Sequence, residues 1–271
     1  MKPIALACPD RQTGSASPPG GRRRRGVAAR VARTFAAGLV LTGCVRSAAS
    51  PISSPSTTST TSTTSTPSTS APRPPAPSTY PVHTGISATT FWVGEPADND
   101  SGHISNAESA WDDRWIEHFG GIDDPRHRNG WRPAGFVPRE NPFYVALPYN
   151  DLDENGQAKG SAAAVPWAGQ RASADQSVLK NRWVRIDYHG KSVYAQWEDA
   201  GPMGEDDFAY VFGGAAPKNR ANERAGIDLS PAAQDYLGLD GLTPVTWQFV
   251  DQPNVPPGPW LVTVTTSGVD H

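Results

Sequence analysis

Between residues 47 and 78 the chain is written almost entirely in Ser, Thr, Pro and Ala, with runs such as TTSTT at 57–61 and APRPPAP at 71–77. A stretch of this kind has no apolar periodicity, so burial cannot repay the entropy of ordering it. Proline and β-branched threonine stiffen and extend such a chain, which makes it a spacer. The tract therefore divides the sequence into a leader at 1–43, a tether at 44–80 and one globular domain at 81–271. Only this last part, about 190 residues, has the aliphatic and aromatic content for a core, and that is the size of a single domain.

Charge follows the same partition. Of 24 Lys and Arg, 8 lie before residue 45, as does 1 of 27 Asp and Glu, so the chain beyond the leader carries a net charge of −10. An acidic domain of this kind repels polyanions, which argues against nucleic acid as a partner and suits a neutral substrate. The two cysteines, Cys8 and Cys44, both precede the domain, which therefore has neither a disulfide nor a thiolate metal site. It must be held by packing, and the 9 Trp of the chain supply large apolar surfaces for that.

The leader has four consecutive arginines, Arg22 to Arg25, then the short apolar run TFAAGLVLTG at 34–43. These are the basic and apolar regions of a secretory signal, and the run is too short to span a bilayer as a stop-transfer helix. It ends in LTGC at 41–44, which resembles the lipobox of bacterial lipoproteins. The resemblance implies cleavage before Cys44, diacylation of its thiol, and a domain held at the extracytoplasmic face of the cell membrane through the lipid alone.

Within the domain the signals are mostly β. Residues 86–93 (ISATTFWV) are β-branched and aromatic, 143–147 (FYVAL) form a short apolar run between prolines, and 245–250 and 260–265 supply two later strands. Residues 182–188 alternate, turn through His189 and Gly190, and continue at 191–197, which reads as a β-hairpin. Helices are expected at 105–119, ending at Gly120, and from Ser230 with Pro231 at its first position, ending at Gly238. Many short strands with few helices predict a small barrel or sandwich.

Two segments carry a family resemblance when taken together. YAQWEDAGPM at 194–203 is a strand ending in an acid at a Gly-Pro turn, and GIDLSPAAQDYLG at 226–238 is an Asp-Leu-Ser step into a capped helix. With SATTFW at 87–92 as a first strand, this resembles the double-psi β-barrel of the rare lipoprotein A and expansin families. The resemblance covers about half of the domain. It implies a mainly β fold, a six-stranded double-psi β-barrel with one short family-type helix and two loop or helix insertions at about 95–141 and 203–225. It also implies that Asp199 and Asp228 face a common groove that takes cell-wall polysaccharide. Family members with lytic activity carry a histidine beside the second-strand Leu-Pro, whereas this chain has VALP at 145–148. Binding or loosening of the polysaccharide is thus expected first, and lytic transglycosylation second, with Asp199 or Asp228 as general acid and base. The third expectation is a protein-binding envelope scaffold acting through the tryptophan-rich insertion at 95–141.

Sugar rings stack on flat aromatic side chains, which makes Trp92, Tyr149, Trp183, Tyr194 and Trp197 the candidate substrate-binding residues, with most tryptophans otherwise assigned to the core. No cofactor or metal is implied. The half calcium loop DLDENG at 151–156 has Ala162 rather than Glu at its twelfth position, and a polar turn explains it. Histidines 83, 103, 118, 127, 189 and 271 show no metal spacing. No phosphate-binding glycine loop and no Gly-x-Ser-x-Gly is present. The sequence does not specify an oligomeric state.

Overall fold

The computed structural model describes residues 79–97 and 104–268. The segment read as a signal peptide, Cys44 and nearly all of the segment read as a tether lie outside the described residues. Among the described residues no helix is long and apolar enough to cross a membrane.

Six strands close into a mainly β barrel: β1 (His83–Thr90), β4 (Tyr144–Leu147), β5 (Arg182–Tyr188), β6 (Lys191–Ala200), β7 (Ile227–Leu229) and β8 (Thr243–Val250), with β2 (Arg128–Asn129) and β3 (Arg132–Pro133) forming a separate small hairpin. Around the barrel the order is β1-β7-β4-β6-β5-β8, with β1 pairing β8 to close it. Two pairings are parallel, β1 with β7 and β4 with β6, and the other four are antiparallel. Exchanging β1, β4 and β5 for β6, β7 and β8 maps every pairing onto one of the same sense. This internal two-fold relation is the pairing pattern expected of a double-psi barrel.

Local chemistry explains the elements that read cleanly. The β5–β6 hairpin turns through His189 and Gly190, both at positive φ (44° and 79°), matching the right-handed twist of the strands it joins. The helix Pro231–Leu237 is capped by Ser230, whose hydroxyl accepts from the Ala233 N–H, and it stops at Gly238 with φ 75°. Along β8, Val245, Trp247 and Phe249 are buried and alternate with half-buried neighbours, as a barrel wall requires.

Two sequence expectations are corrected. Residues 105–119 form a helix only at Trp115–Phe119. Upstream, the hydroxyls of Ser105 and Ser109 and the Asp112 carboxylate accept from the N–H groups of Ala107, Trp111 and Arg114, turns that compete with helical bonding. Residues 260–265 form no strand; a 3₁₀ turn at Pro259–Leu261 replaces its start, and the Gln196 side chain takes the place of a partner strand by bonding both the N–H and the carbonyl of Thr265. The polar turn at 151–156 is as expected, with Asp153 accepting from the Asn155 and Gln157 N–H groups. The segments expected as insertions carry, in the first, the Trp115–Phe119 helix and the small hairpin and, in the second, a short helix at Phe208–Val211.

Hydrophobic packing forms two clusters. The larger fills the barrel with Val145, Leu147, Trp197, Ile227, Leu229, Trp247 and Phe249 among others. The smaller lies on the opposite face of β4, where Tyr144 and Ala146 pack with Phe91, Val93, Trp115 and Phe119 beneath the first insertion. Several buried indoles find polar partners: Trp247 donates to the Tyr210 hydroxyl (2.8 Å) and Trp111 to Asn150 Oδ1 (2.9 Å).

Candidate functional site

The strand register brings the two acids together. Asp199 on β6 pairs with Ala146 on β4, Ala146 pairs with Asp228 on β7, and Asp228 pairs with Thr89 on β1. Directly opposed residues project to one side of a sheet, so these four side chains form a row across the outer face of four strands. Asp228 lies between the inward-facing Ile227 and Leu229, which fixes its own direction as outward. Ala146, with only a methyl side chain, stands between the two acids in this row. Gly201 keeps the space above it clear, since a Cβ at Gly201 would sit 3.1 Å from Asp228 Oδ2 and 3.5 Å from the Ala146 Cβ.

Asp199 reaches this face through an irregularity in β6. The β4–β6 register shifts between Val145 and Ala146, leaving Glu198 as the extra residue. Glu198 turns to the other side, where its carboxylate lies 3.4 Å from the Lys180 ammonium in a fully buried group with Glu140. Burial pushes its pKa up to about 8, with the lysine opposing and Glu140 adding to the rise. Glu198 is thus excluded from the site and Asp199 is placed in it.

Both acids line one open cleft of about 450 Å³. The first insertion supplies one wall with Glu95, Ile104 and Asn106, and the second insertion supplies Met203, Ala221 and Asn222. Asp199 is only 8% exposed, and its Oδ1 accepts from the N–H groups of Ala110 (2.7 Å) and Ala200 (2.8 Å). Half-buried Asp228 accepts from the Thr89 hydroxyl at its Oδ1. Among the described residues, no hydrogen bond is made to Oδ2 of either carboxyl. Burial pushes Asp199 up to about 7; the two backbone N–H bonds resist this, and the charge of Asp228 adds to it. Burial likewise pushes Asp228 up to about 7, against the Thr89 hydrogen bond. Carboxyls with pKa values near 7 are partly protonated at neutral pH, so each can donate or accept a proton.

The aromatic expectation is corrected. Tyr149, Trp183, Tyr194 and Trp197 are buried in the main cluster, and none of them borders the cleft. A domain without disulfides needs these rings for cohesion, and three of them pack against other rings: Tyr149 on Phe208 and Phe212, Tyr194 on Trp260, and Trp197 on Trp111 and Phe249. Half-buried Trp92 does not line the cleft either. Trp197 acts on the site differently, by donating its indole N–H to the Asp199 carbonyl (2.7 Å).

No protein-family description matches the chain, and neither does any curated protein. Among solved structures, Streptomyces papain inhibitor (SPI) is similar to it at 16% identity and a TM-score of 0.27, over 63% of this chain and 96% of that one. A likeness of that degree carries no functional weight. Membership of the rare lipoprotein A family is not shown.

Several cleft residues were not apparent from sequence. Glu95 and Asn106, bonded to each other at 2.7 Å, form a polar wall drawn from the first insertion. Thr89 sat in the first-strand motif as an unassigned hydroxyl, and the glycine of the Asp-Ala-Gly-Pro turn was the one available sign that the backbone passes close to a functional group. Met203 and Asn222, with Glu223 and Arg224 beyond, are non-glycine residues at positive φ of 57°, 48°, 54° and 60°. Of these, Met203 and Asn222 line the cleft.

Proposed function

We propose that the cleft between the two insertions binds cell-wall polysaccharide, in a protein held at the outer face of the bacterial membrane by lipid on Cys44. The observation that supports this best is the convergence of Asp199 and Asp228 in one open cleft, each with an Oδ2 that accepts no hydrogen bond among the described residues and each with a raised pKa. The apolar edges of the cleft, Ile104, Met203 and Leu242, are exposed and suit the C–H faces of sugars, while the carboxyls and Asn106 suit hydroxyls. The first form of the reading is expansin-like loosening, in which the carboxyl pair exchanges hydrogen bonds with the glycan and releases no product.

The second form is lytic transglycosylation, and the raised pKa values favour it. Protonated Asp199 would donate to the glycosidic oxygen as the C–O bond breaks, then take a proton from the sugar's own 6-hydroxyl as that oxygen closes an anhydro ring. No water is consumed, so no second carboxylate is needed to activate one. Incubating the full chain with purified sacculi separates the two forms. Anhydro-muropeptide release that Asp199→Asn and Asp228→Asn each reduce by about a hundredfold or more identifies the enzyme. Sedimentation with sacculi without release, lost in the same variants, identifies the binder. If neither occurs, the polysaccharide reading fails.

A further inference from the structure

A second groove, of about 280 Å³, shares no residue with the acid-bearing cleft. It lies at the tip of the β2–β3 hairpin, and its walls include Trp131, Val137, Pro138, Pro142, Phe143 and Val262. Three of these are open to solvent: Trp131 is 40% exposed, Val137 67% and Val262 85%. A concentration of exposed apolar surface like this marks a contact site. Trp131 is also braced, with ring centroids 5.3 Å from Tyr236 and 6.3 Å from Phe143. One part of the indole is fixed by packing, and the rest is offered to a ligand.

Charge selects the ligand. Residues 125–139 contain four arginines, one histidine and no acid, in a chain that beyond its leader is strongly acidic. Arg126 is paired with Asp124 and Arg128 with Asp123. Exposed Arg132, which lines the groove, and Arg139 have no acidic partner among the described residues. The chain's own proline-rich tract is a poor occupant, because residues 45–80 carry Arg46 and Arg73 and no acid. A flat indole beside an uncompensated guanidinium, between rigid prolines, matches a sugar ring that carries an anionic group.

We propose that this groove is a binding site for an acidic carbohydrate, with a sugar ring on Trp131 and its acid group on Arg132. The site is separate from the cleft, and its test does not depend on what the cleft does. The full chain, in non-ionic detergent, is run in native gels containing polygalacturonate, dextran or poly-glutamate. Retardation is expected with polygalacturonate and absent with the neutral dextran. Trp131→Ala and Arg132→Gln should each weaken it by about tenfold, while Asp199→Asn with Asp228→Asn leaves it unchanged. Arg132 is a surface side chain, so its variant keeps the test independent of any folding defect from removing the indole. Absence of retardation, equal retardation by dextran, or undiminished retardation of both groove variants overturns the proposal. Equal retardation by poly-glutamate also overturns it, and assigns the groove to acidic polypeptide instead.

Discussion

Asp199 is held at three points: its Oδ1 by two backbone N–H groups and its carbonyl by the Trp197 indole. That explains how a carboxyl so far removed from water keeps one orientation and still presents Oδ2. It also gives Trp197 a measurable role. Trp197→Phe keeps a ring in the core but leaves the Asp199 carbonyl without its donor, and should cost about 2–4 kcal/mol of stability in urea unfolding; a loss under about 0.5 kcal/mol would show that the bond contributes little. The two acids were legible from sequence because each stands in a short motif with turn chemistry around it. The aromatic residues were not, since whether an indole face is covered depends on residues far away in sequence. The Ala110 N–H that holds Asp199 comes from 89 residues upstream and has no local signature.

Elements whose determinants are local were read correctly, and those settled by distant partners were not. The β5–β6 hairpin and the Pro231–Leu237 helix carry their own turn and cap residues. Residues 105–119 have helical periodicity, yet their serines and aspartates bond their own backbone, and the Ala110 N–H is drawn off to the barrel. The C-terminal segment at 260–265 has strand composition, but the partner offered to it is a single Gln196 side chain. The capping helix gives a test at this scale. The buried Ser230 hydroxyl lies within hydrogen-bonding reach of both the Ala233 and the Tyr144 N–H groups, so it joins the helix start to β4. Ser230→Ala should therefore cost about 1–3 kcal/mol, more than an exposed cap, because two buried donors lose an acceptor. Thermal unfolding of the variant measures this, and a cost of a few tenths would place the helix's stability in its apolar face instead.

At the scale of the whole molecule, the buried acids link stability to pH. Asp199 and Asp228 near 7 and Glu198 near 8 all have folded pKa values above their unfolded ones, so their contribution is complete below the unfolded values and is lost as pH rises through the folded ones. Buried His83, pushed down to about 4, acts in the opposite sense, but its effect ends near its ordinary value of 6.5. The domain should thus lose thermal stability between about pH 4 and 8, with His83 offsetting part of the fall up to 6.5, and Glu198→Gln should flatten its upper end between 7 and 8. A midpoint that holds steady across this window would show that these acids titrate normally. The closed six-stranded barrel was legible as a class, through the order of strands and the helix between β7 and β8. The two insertions were legible as segments, the first of them tryptophan-rich, but not as walls, and it is they that turn a row of side chains on a barrel wall into a cleft.

Burial in that cleft raises both Asp199 and Asp228 to about 7, and a carboxyl titration followed by ¹³C NMR tests this directly. The wild type should show both groups titrating near 7, with Asp199 falling in Asp228→Asn as the neighbouring charge is removed. Ordinary aspartate values for both, unaffected by that substitution, would contradict the account.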